Sequence, residues 1–179
     1  VSFEAAKAPA QFKEEVLKIE HLTVQNEDGF EVVKDVSFTI RSGEIFAIAG
    51  VADNGQVEIA DAIAGLTKVS SGNILLGGKD ITNETIRNRT EAGISYIPED
   101  RQSYGLVLDF DLSTNLALKQ YYREPFSDKG ILNKDEFEQF GTKMIDKYDI
   151  RSGQGIKTQV RSMSGGNQQK AIIAREIEL

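Results

Sequence analysis

The chain has 179 residues, enough for one domain, and its 40% hydrophobic and 27% charged residues are ordinary for a soluble globular protein. A net charge of -7 opposes autonomous binding to nucleic acid, because no basic stripe offsets the repulsion of phosphates. No run of about 18 apolar residues reads as a membrane span, and the lack of cysteine removes disulfides and thiolate metal sites and is compatible with a reducing compartment.

Taken in chain order, Val1 to Glu15 is polar and alanine-rich, contains Pro9, and reads as a linker. Val16 to Val24 and Val32 to Ile40 alternate as strands and are expected to form an antiparallel layer with Asn73 to Leu76. His21 lies in the first strand, as a surface or strand residue. Phe30, in Asp28-Gly29-Phe30-Glu31, sits at a hairpin tip, where it either stacks on a base or packs on its own strands.

Glu44 to Ala49 reads as a fully buried strand, running into the loop Gly50 to Glu58 and the helical stretch Ile59 to Ile63. Strand, glycine-bearing loop and helix are the skeleton of a P-loop. The chemistry differs. The pattern G-x-x-x-x-G-K-[ST] supplies a lysine for the outer phosphates and a hydroxyl for magnesium. Here Gly50, Asn54 and Gly55 carry the loop, while Gln56 and Val57 occupy the lysine and hydroxyl places. Gln56 can donate a neutral hydrogen bond, Val57 has no oxygen, and Asp53, Glu58 and Asp61 add negative charge where phosphates would lie. Weak nucleotide affinity and no hydrolysis at this loop are expected; an ordinary strand-to-helix turn is the alternative.

The whole stretch Glu44 to Ile97 alternates strand and helix in the parallel-sheet manner. Pro98-Glu99-Asp100-Arg101 then reads as a solvated turn. Leu112 to Tyr122 and Asp135 to Tyr148 have helical apolar spacing. Phe137, Phe140, Met144, Ile145 and Tyr148 are expected as local core, and Lys143, Asp146 and Lys147 as a solvated face.

Met163-Ser164-Gly165-Gly166-Asn167-Gln168-Gln169-Lys170 precedes a predicted helix from Gln168 to Glu178. A hydroxyl and two glycines at a helix start suit a phosphate, because bare backbone lets unsatisfied amides approach an anion. The plainer alternative is an N-capping serine and a glycine turn.

Together these segments resemble the ATP-binding cassette family over about residues 16 to 179, with a P-loop at Gly50 to Val57 and an L-S-G-G-Q type signature at Met163 to Asn167. Val33 to Glu44, Ser71-Gly72-Asn73-Ile74 with Gly77, Gly93 to Glu99 and Ala174-Arg175-Glu176 fit the same register. The resemblance implies an α/β P-loop NTPase fold, incomplete, with an antiparallel β subdomain and an α-helical subdomain. It divides the chain into a linker (1–15), antiparallel layer with P-loop core (16–98), Q-loop with helical subdomain (99–162), and signature motif with its helix (163–179). Pro98 to Arg101, Gly105-Leu106-Val107 and Ser164 to Lys170 are similar to the second cassette of tandem subunits that energise bacterial uptake of sugars or nucleosides. Tyr122 to Ser127 and the loop Gly50 to Gln56 lean toward the nucleoside branch, although Asp53 departs from its usual glycine.

In that family ATP lies between the P-loop of one cassette and the signature of another. The resemblance therefore implies that Ser164, Gly165, Gly166 and Asn167 touch ATP held by a second cassette, with magnesium in the full complex, while Gly50 to Val57 belongs to a silent site. Asn167 replaces the signature glutamine but keeps amide donor and acceptor groups. Glu99 stands where the Q-loop glutamine binds magnesium, and is expected to serve coupling through the loop Asp100 to Asp109. The implied partners are a second cassette and membrane-spanning permease subunits touching the helical subdomain, with a cytoplasmic location peripheral to the inner face of the membrane. The family continues past its signature helix into a strand ending in aspartate and glutamate and a switch histidine, a position His21 is too early to fill. The chain alone is thus expected to hydrolyse no ATP, with neither catalytic residue nor metal ligand assigned, and its uncovered sheet edge to favour self-association. A non-catalytic dimerisation or docking module that binds nucleotide poorly is the alternative function. A stand-alone P-loop kinase is disfavoured by the missing lysine and by Ser-Gly-Gly.

Overall fold

The computed structural model describes residues 11–26, 28–51 and 54–179. They form two units, the first reaching to Ile94 and the second spanning Ser95–Leu179.

In the first unit, β1 (Glu15–Gln25) and β2 (Glu31–Arg41) make an antiparallel hairpin, joined by β3 (Val69–Leu76) and β4 (Lys79–Asp80) in the order β2-β1-β3-β4. This is the antiparallel layer expected from alternation. The alternation carries one phase change: Ile19, Leu22 and Val24 are all buried although Ile19 and Leu22 are three apart. An irregularity between Ile19 and Leu22 inserts one residue in β1, and His21, with φ 51°, absorbs it. Asp35 opposite has φ 49°, and its Oδ1 lies 2.7 Å from His21 Nδ1. Both side chains are exposed, so His21 is the exposed strand residue expected. On β3, Gly72 has φ 91°, and a Cβ there would lie 2.5 Å from the Glu20 carbonyl oxygen. A bulge of this kind restores the inward face after a one-residue slip that would otherwise expose it.

The helix α1 (Gln56–Ala64) packs Ile59 and Ala62 on Leu22, Val33, Ile74 and Ile81. The short α2 (Ile86–Glu91) is capped by Thr85, whose hydroxyl accepts from the Asn88 amide at 3.2 Å. Arg89, 3% exposed, donates to the carbonyls of Ala62 (2.6 Å), Ile63 (2.8 Å), Thr82 (2.7 Å) and Glu84 (3.1 Å). It therefore satisfies orphan carbonyls at the α1 C-terminus.

Two strand expectations are corrected. Glu44–Ala49 has no regular structure, and Ile45 is 93% exposed; residues 94–99 are likewise irregular. An apolar parallel strand is stabilised by ladders and by cover on both faces, whereas every strand pair among the described residues is antiparallel and none includes these segments. Phe46 stacks on Phe38 at a centroid distance of 4.9 Å. Phe30 does not pack on its strands either, being 69% exposed at the hairpin tip. The expectations placed on Asp53 and on Val1 to Ala10 fall outside the described residues.

In the second unit, α3 (Leu112–Ala117), α4 (Lys134–Tyr148) and α5 (Gly165–Ile177) enclose a core of Leu112, Leu116, Met144, Val160, Met163 and Ile172. The expected helix to Tyr122 is shorter because tight bonds take over after Ala117: the Gln120 amide donates to the Ala117 carbonyl and the Arg123 amide to that of Gln120. A small hairpin, β5 (Ser127–Asp128) and β6 (Ile131–Leu132), leads into α4. Asn133 caps α4 at its start, and Asp149 ends it with φ 48°. Phe137 and Met144 are buried, while Phe140, Ile145 and Tyr148 pack partly buried against the core. Lys143, Asp146 and Lys147 are exposed, as their spacing predicts.

Candidate phosphate-contacting sites

The start of α5 is the more open of the two glycine-bearing helix starts. Ser164 occupies its N-cap position with extended backbone (φ -65°, ψ 151°), yet its side chain makes no capping bond to the helix. The Asn167 amide instead donates to Ser164 Oγ at 2.9 Å, and Asn167 Oδ1 accepts from the Arg151 backbone amide at 2.8 Å. Asn167 thus braces the serine against the loop after α4. The carbonyl of Ser164 accepts from the Gln168 amide at 3.0 Å, so the helix begins in register behind a hydroxyl that faces out. Nothing lies within 4 Å of the place a Cβ would take on Gly166, whereas on Gly165 it would meet the Arg101 guanidinium at 2.7 Å. The turn offers a hydroxyl, first-turn amides and a neighbouring cation, a set suited to an anion presented from outside.

One turn further in, Gln168 is 1% exposed; its amide donates to the Val160 carbonyl at 3.0 Å and accepts from Gln102 Nε2 at 3.2 Å. Gln102 belongs to a π-helical turn, Arg101–Gly105, that starts on Asp100. The Asp100 carboxylate accepts from Ser103 Oγ (2.6 Å) and from the amides of Gln102 (2.9 Å) and Ser103 (3.1 Å). The Ser103 hydroxyl and amide, with the Gln102 amide, hold the Asp100 carboxyl below the usual value. Glu99 precedes this turn, exposed and without regular structure.

At the far end of α5 the side chain of Glu176 is fully enclosed, with Lys119 Nζ at 2.6 Å and Arg175 Nε at 3.0 Å, and it accepts from the Tyr96 amide at 3.2 Å. Glu178 accepts from Lys147 Nζ (2.5 Å) and from Tyr148 O–H (2.7 Å), which hold its carboxyl below the ordinary value. The helix is therefore anchored at its rear while its front stays exposed.

The loop before α1 is closed upon itself. Gly55 caps α1 with φ 93°, and a Cβ there would sit 2.7 Å from the Val32 carbonyl oxygen, so glycine is required. Gln56 turns its amide back and donates to the Val51 carbonyl at 3.1 Å, lying directly against Gly50. Val57 is 46% exposed, and Asn54 and Gly50 are exposed. One N–H of the Gln56 amide goes to the loop's own backbone, Val57 brings no oxygen, and Glu58 adds an acidic group to the first helical turn. These residues do not fit a magnesium triphosphate. Among the described residues no cluster of histidine, aspartate and glutamate could hold a metal ion.

The sequence pattern did not single out Gln168 or Gln102, because their bond joins positions 66 residues apart. The one available signal was a glutamine at an inward position of an apolar helix stripe.

Comparison with known proteins identifies the family and the fold. The family model described as ABC transporter matches residues 33–178. The guanosine import ATP-binding protein NupO of Bacillus subtilis is 48% identical over 99% of this chain and 35% of its own length, and the nucleoside import ATP-binding protein NupA of Lactococcus lactis is 46% identical over the same shares. A ribose import ATP-binding protein of Chelativorans is 34% identical over 97% of the chain and 33% of its own length. The chain thus spans about a third of the length of these relatives. A solved nucleotide-free ATP-binding cassette from an ABC transporter superposes with a TM-score of 0.71 at 18% identity, covering 92% of this chain and 65% of that one. With the family model covering most of its length and the cassette fold shared, the chain belongs to the ABC transporter family.

Proposed function

We propose that this chain is part of the ATP-binding subunit of a bacterial importer of the sugar and nucleoside class, and that it lends its Ser164–Asn167 turn to ATP held by a second cassette. Its own loop, Gly50 to Val57, stays chemically idle. The observation that carries the reading is the contrast between two helix starts: Ser164 Oγ is held outward by Asn167 with open space over Gly166, while Gln56 is folded onto the Val51 carbonyl. The two relatives named for guanosine and nucleoside import match at 48% and 46%, against 34% for a ribose-import relative, which favours a nucleoside as cargo. Glu99 and the loop to Asp109 form the coupling segment, the helical subdomain meets the permease subunits, and the subunit works at the cytoplasmic face of the membrane. Among the described residues no helix is long and apolar enough to cross a membrane.

Ser164→Arg tests the reading in the assembled transporter. A bulky cation replacing the outward hydroxyl abolishes ATP turnover while leaving subunit assembly intact. Unchanged turnover would instead support a docking module that takes no part in the ATP site.

A further inference from the structure

The Arg101 guanidinium is held against the positive end of α5. A Cβ on Gly165 would sit 2.7 Å from Arg101 Nη2 and 3.3 Å from its Cζ, so only glycine leaves room for the cation beside the first-turn backbone. The unpaired amides of a helix start carry a partial positive charge, which repels a cation placed there. An acidic residue in the first turn would offset that repulsion, and α5 has none. The other arginine ion pairs of this unit join Arg151 to Asp149, Arg161 to Asp109 and Arg175 to Glu176; Arg101 has none among the described residues. Asp100, its chain neighbour, spends its carboxylate on the Ser103 hydroxyl and on the amides of Gln102 and Ser103. Lys170, in the second turn of α5, is by contrast answered by Asp149 Oδ2 at 2.8 Å. An exposed guanidinium and a helix start thus lie side by side with no anion of the unit's own between them.

We infer that Arg101 is a further phosphate-contacting residue, which sets its charge beside the Ser164 hydroxyl on the outer phosphate of the ATP that this turn meets. The inference rests on the reading of the Ser164–Asn167 turn as the phosphate-contacting element. An incoming phosphate relieves the repulsion between guanidinium and helix start, because it attracts both. The transferred phosphoryl group spreads charge over three equatorial oxygens, and the planar fork of arginine can donate to two of them at once. A cation fixed before the reaction costs no reorganisation as that charge develops. Arg101 exchanges no proton and forms no bond with the phosphorus; it stabilises charge.

Arg101→Gln, Arg101→Lys and Arg101→Ala, made in the assembled transporter, test this. Arg101→Gln should lower basal kcat for ATP roughly 10-fold, less than the ~100-fold that loss of an enclosed transition-state donor costs, because Arg101 is exposed. Arg101→Lys should recover part of the loss, since it keeps the charge without the fork. Guanidinium ion added to Arg101→Ala should raise turnover, and an equal concentration of sodium ion should not. The melting temperature of Arg101→Gln should equal or exceed that of the parent, since a cation leaves the positive end of a helix. Unaltered basal kcat in Arg101→Gln, a loss confined to cargo-stimulated turnover, a loss accompanied by a lower melting temperature, or no gain from guanidinium ion would each overturn the inference. If Ser164→Arg abolishes turnover while Arg101→Gln turns over as the parent does, the inference about Arg101 fails and the phosphate reading stands. If Ser164→Arg is itself silent, the phosphate reading has failed first.

Discussion

Arg89 is where one side chain holds most structure in place. It donates to four carbonyls from two segments, Ala62 and Ile63 at the C-terminus of α1 and Thr82 and Glu84 in the loop before α2, and it does so nearly out of contact with water. Replacing it by Met keeps much of the volume and strands those carbonyls; losing charge-assisted bonds and leaving buried acceptors unpaired costs about 3 kcal/mol. Arg89→Lys should recover less than half, because an ammonium on a single stem cannot reach a fork of four acceptors. Urea unfolding of the two variants beside the parent checks both statements. Nothing in the run Arg87-Asn88-Arg89 distinguishes a buried arginine from a solvated one, since its burial depends on α1 lying 26 residues earlier. Ser164 was legible for the opposite reason: hydroxyl, glycines and helix are neighbours in the chain, and the turn needs no distant contact to form.

At the scale of elements, carboxylates stand at several helix ends in the second unit, Asp100, Asp111 and Asp149. Asp111 caps α3 by accepting from the Thr114 amide at 2.8 Å and Ser113 Oγ at 3.0 Å. Burial pushes its carboxyl upward, and the bonds from Thr114 and Ser113 outweigh that, leaving it below the ordinary 3.8. Asp100 and Asp149 are likewise depressed, by the Ser103 bonds and by Lys170 respectively. A carboxyl more acidic when folded stabilises above its unfolded value and loses that contribution as pH falls through its folded value. The unit should therefore hold its melting temperature down to the ordinary carboxylate value of 3.8 and lose it progressively as pH falls below that, with Asp111→Asn flattening this acid limb. Thermal melts followed by circular dichroism across that range would show it; an acid limb just as steep in Asp111→Asn would contradict the assignment to this cap.

Elements whose stability is local were legible in the sequence. The spacing of Phe137, Phe140, Met144, Ile145 and Tyr148 defines α4, and alternation defines β1 and β2 to within a residue or two. The bulge at His21 and Asp35 was not legible, because a slip in phase shows only when the facing strand is known. Leu112 to Tyr122 was overextended because apolar spacing continues past Ala117 although the backbone tightens there.

At the scale of the molecule, the apolar segments around Ile45 and Ile97 show the limit of pattern reading. Their composition is that of central parallel strands, and it specifies burial without specifying the neighbours that supply it. Among the described residues those neighbours are absent, and Ile45, Ile48 and Val51 stay exposed beside the closed Gln56 loop. The cassette fold is nonetheless recovered over 92% of the chain, since the antiparallel layer and the helical unit each build their own core.

The central claim is that the signature turn of this chain meets ATP while its own loop does not. Vanadate-dependent photocleavage of the assembled transporter tests it most directly, because a trapped phosphate analogue cuts the backbone it touches. The account predicts cleavage of this chain at Ser164 to Asn167 and none at Gly50 to Val57; cleavage at Gly50 to Val57, or its absence at the signature turn, would contradict it.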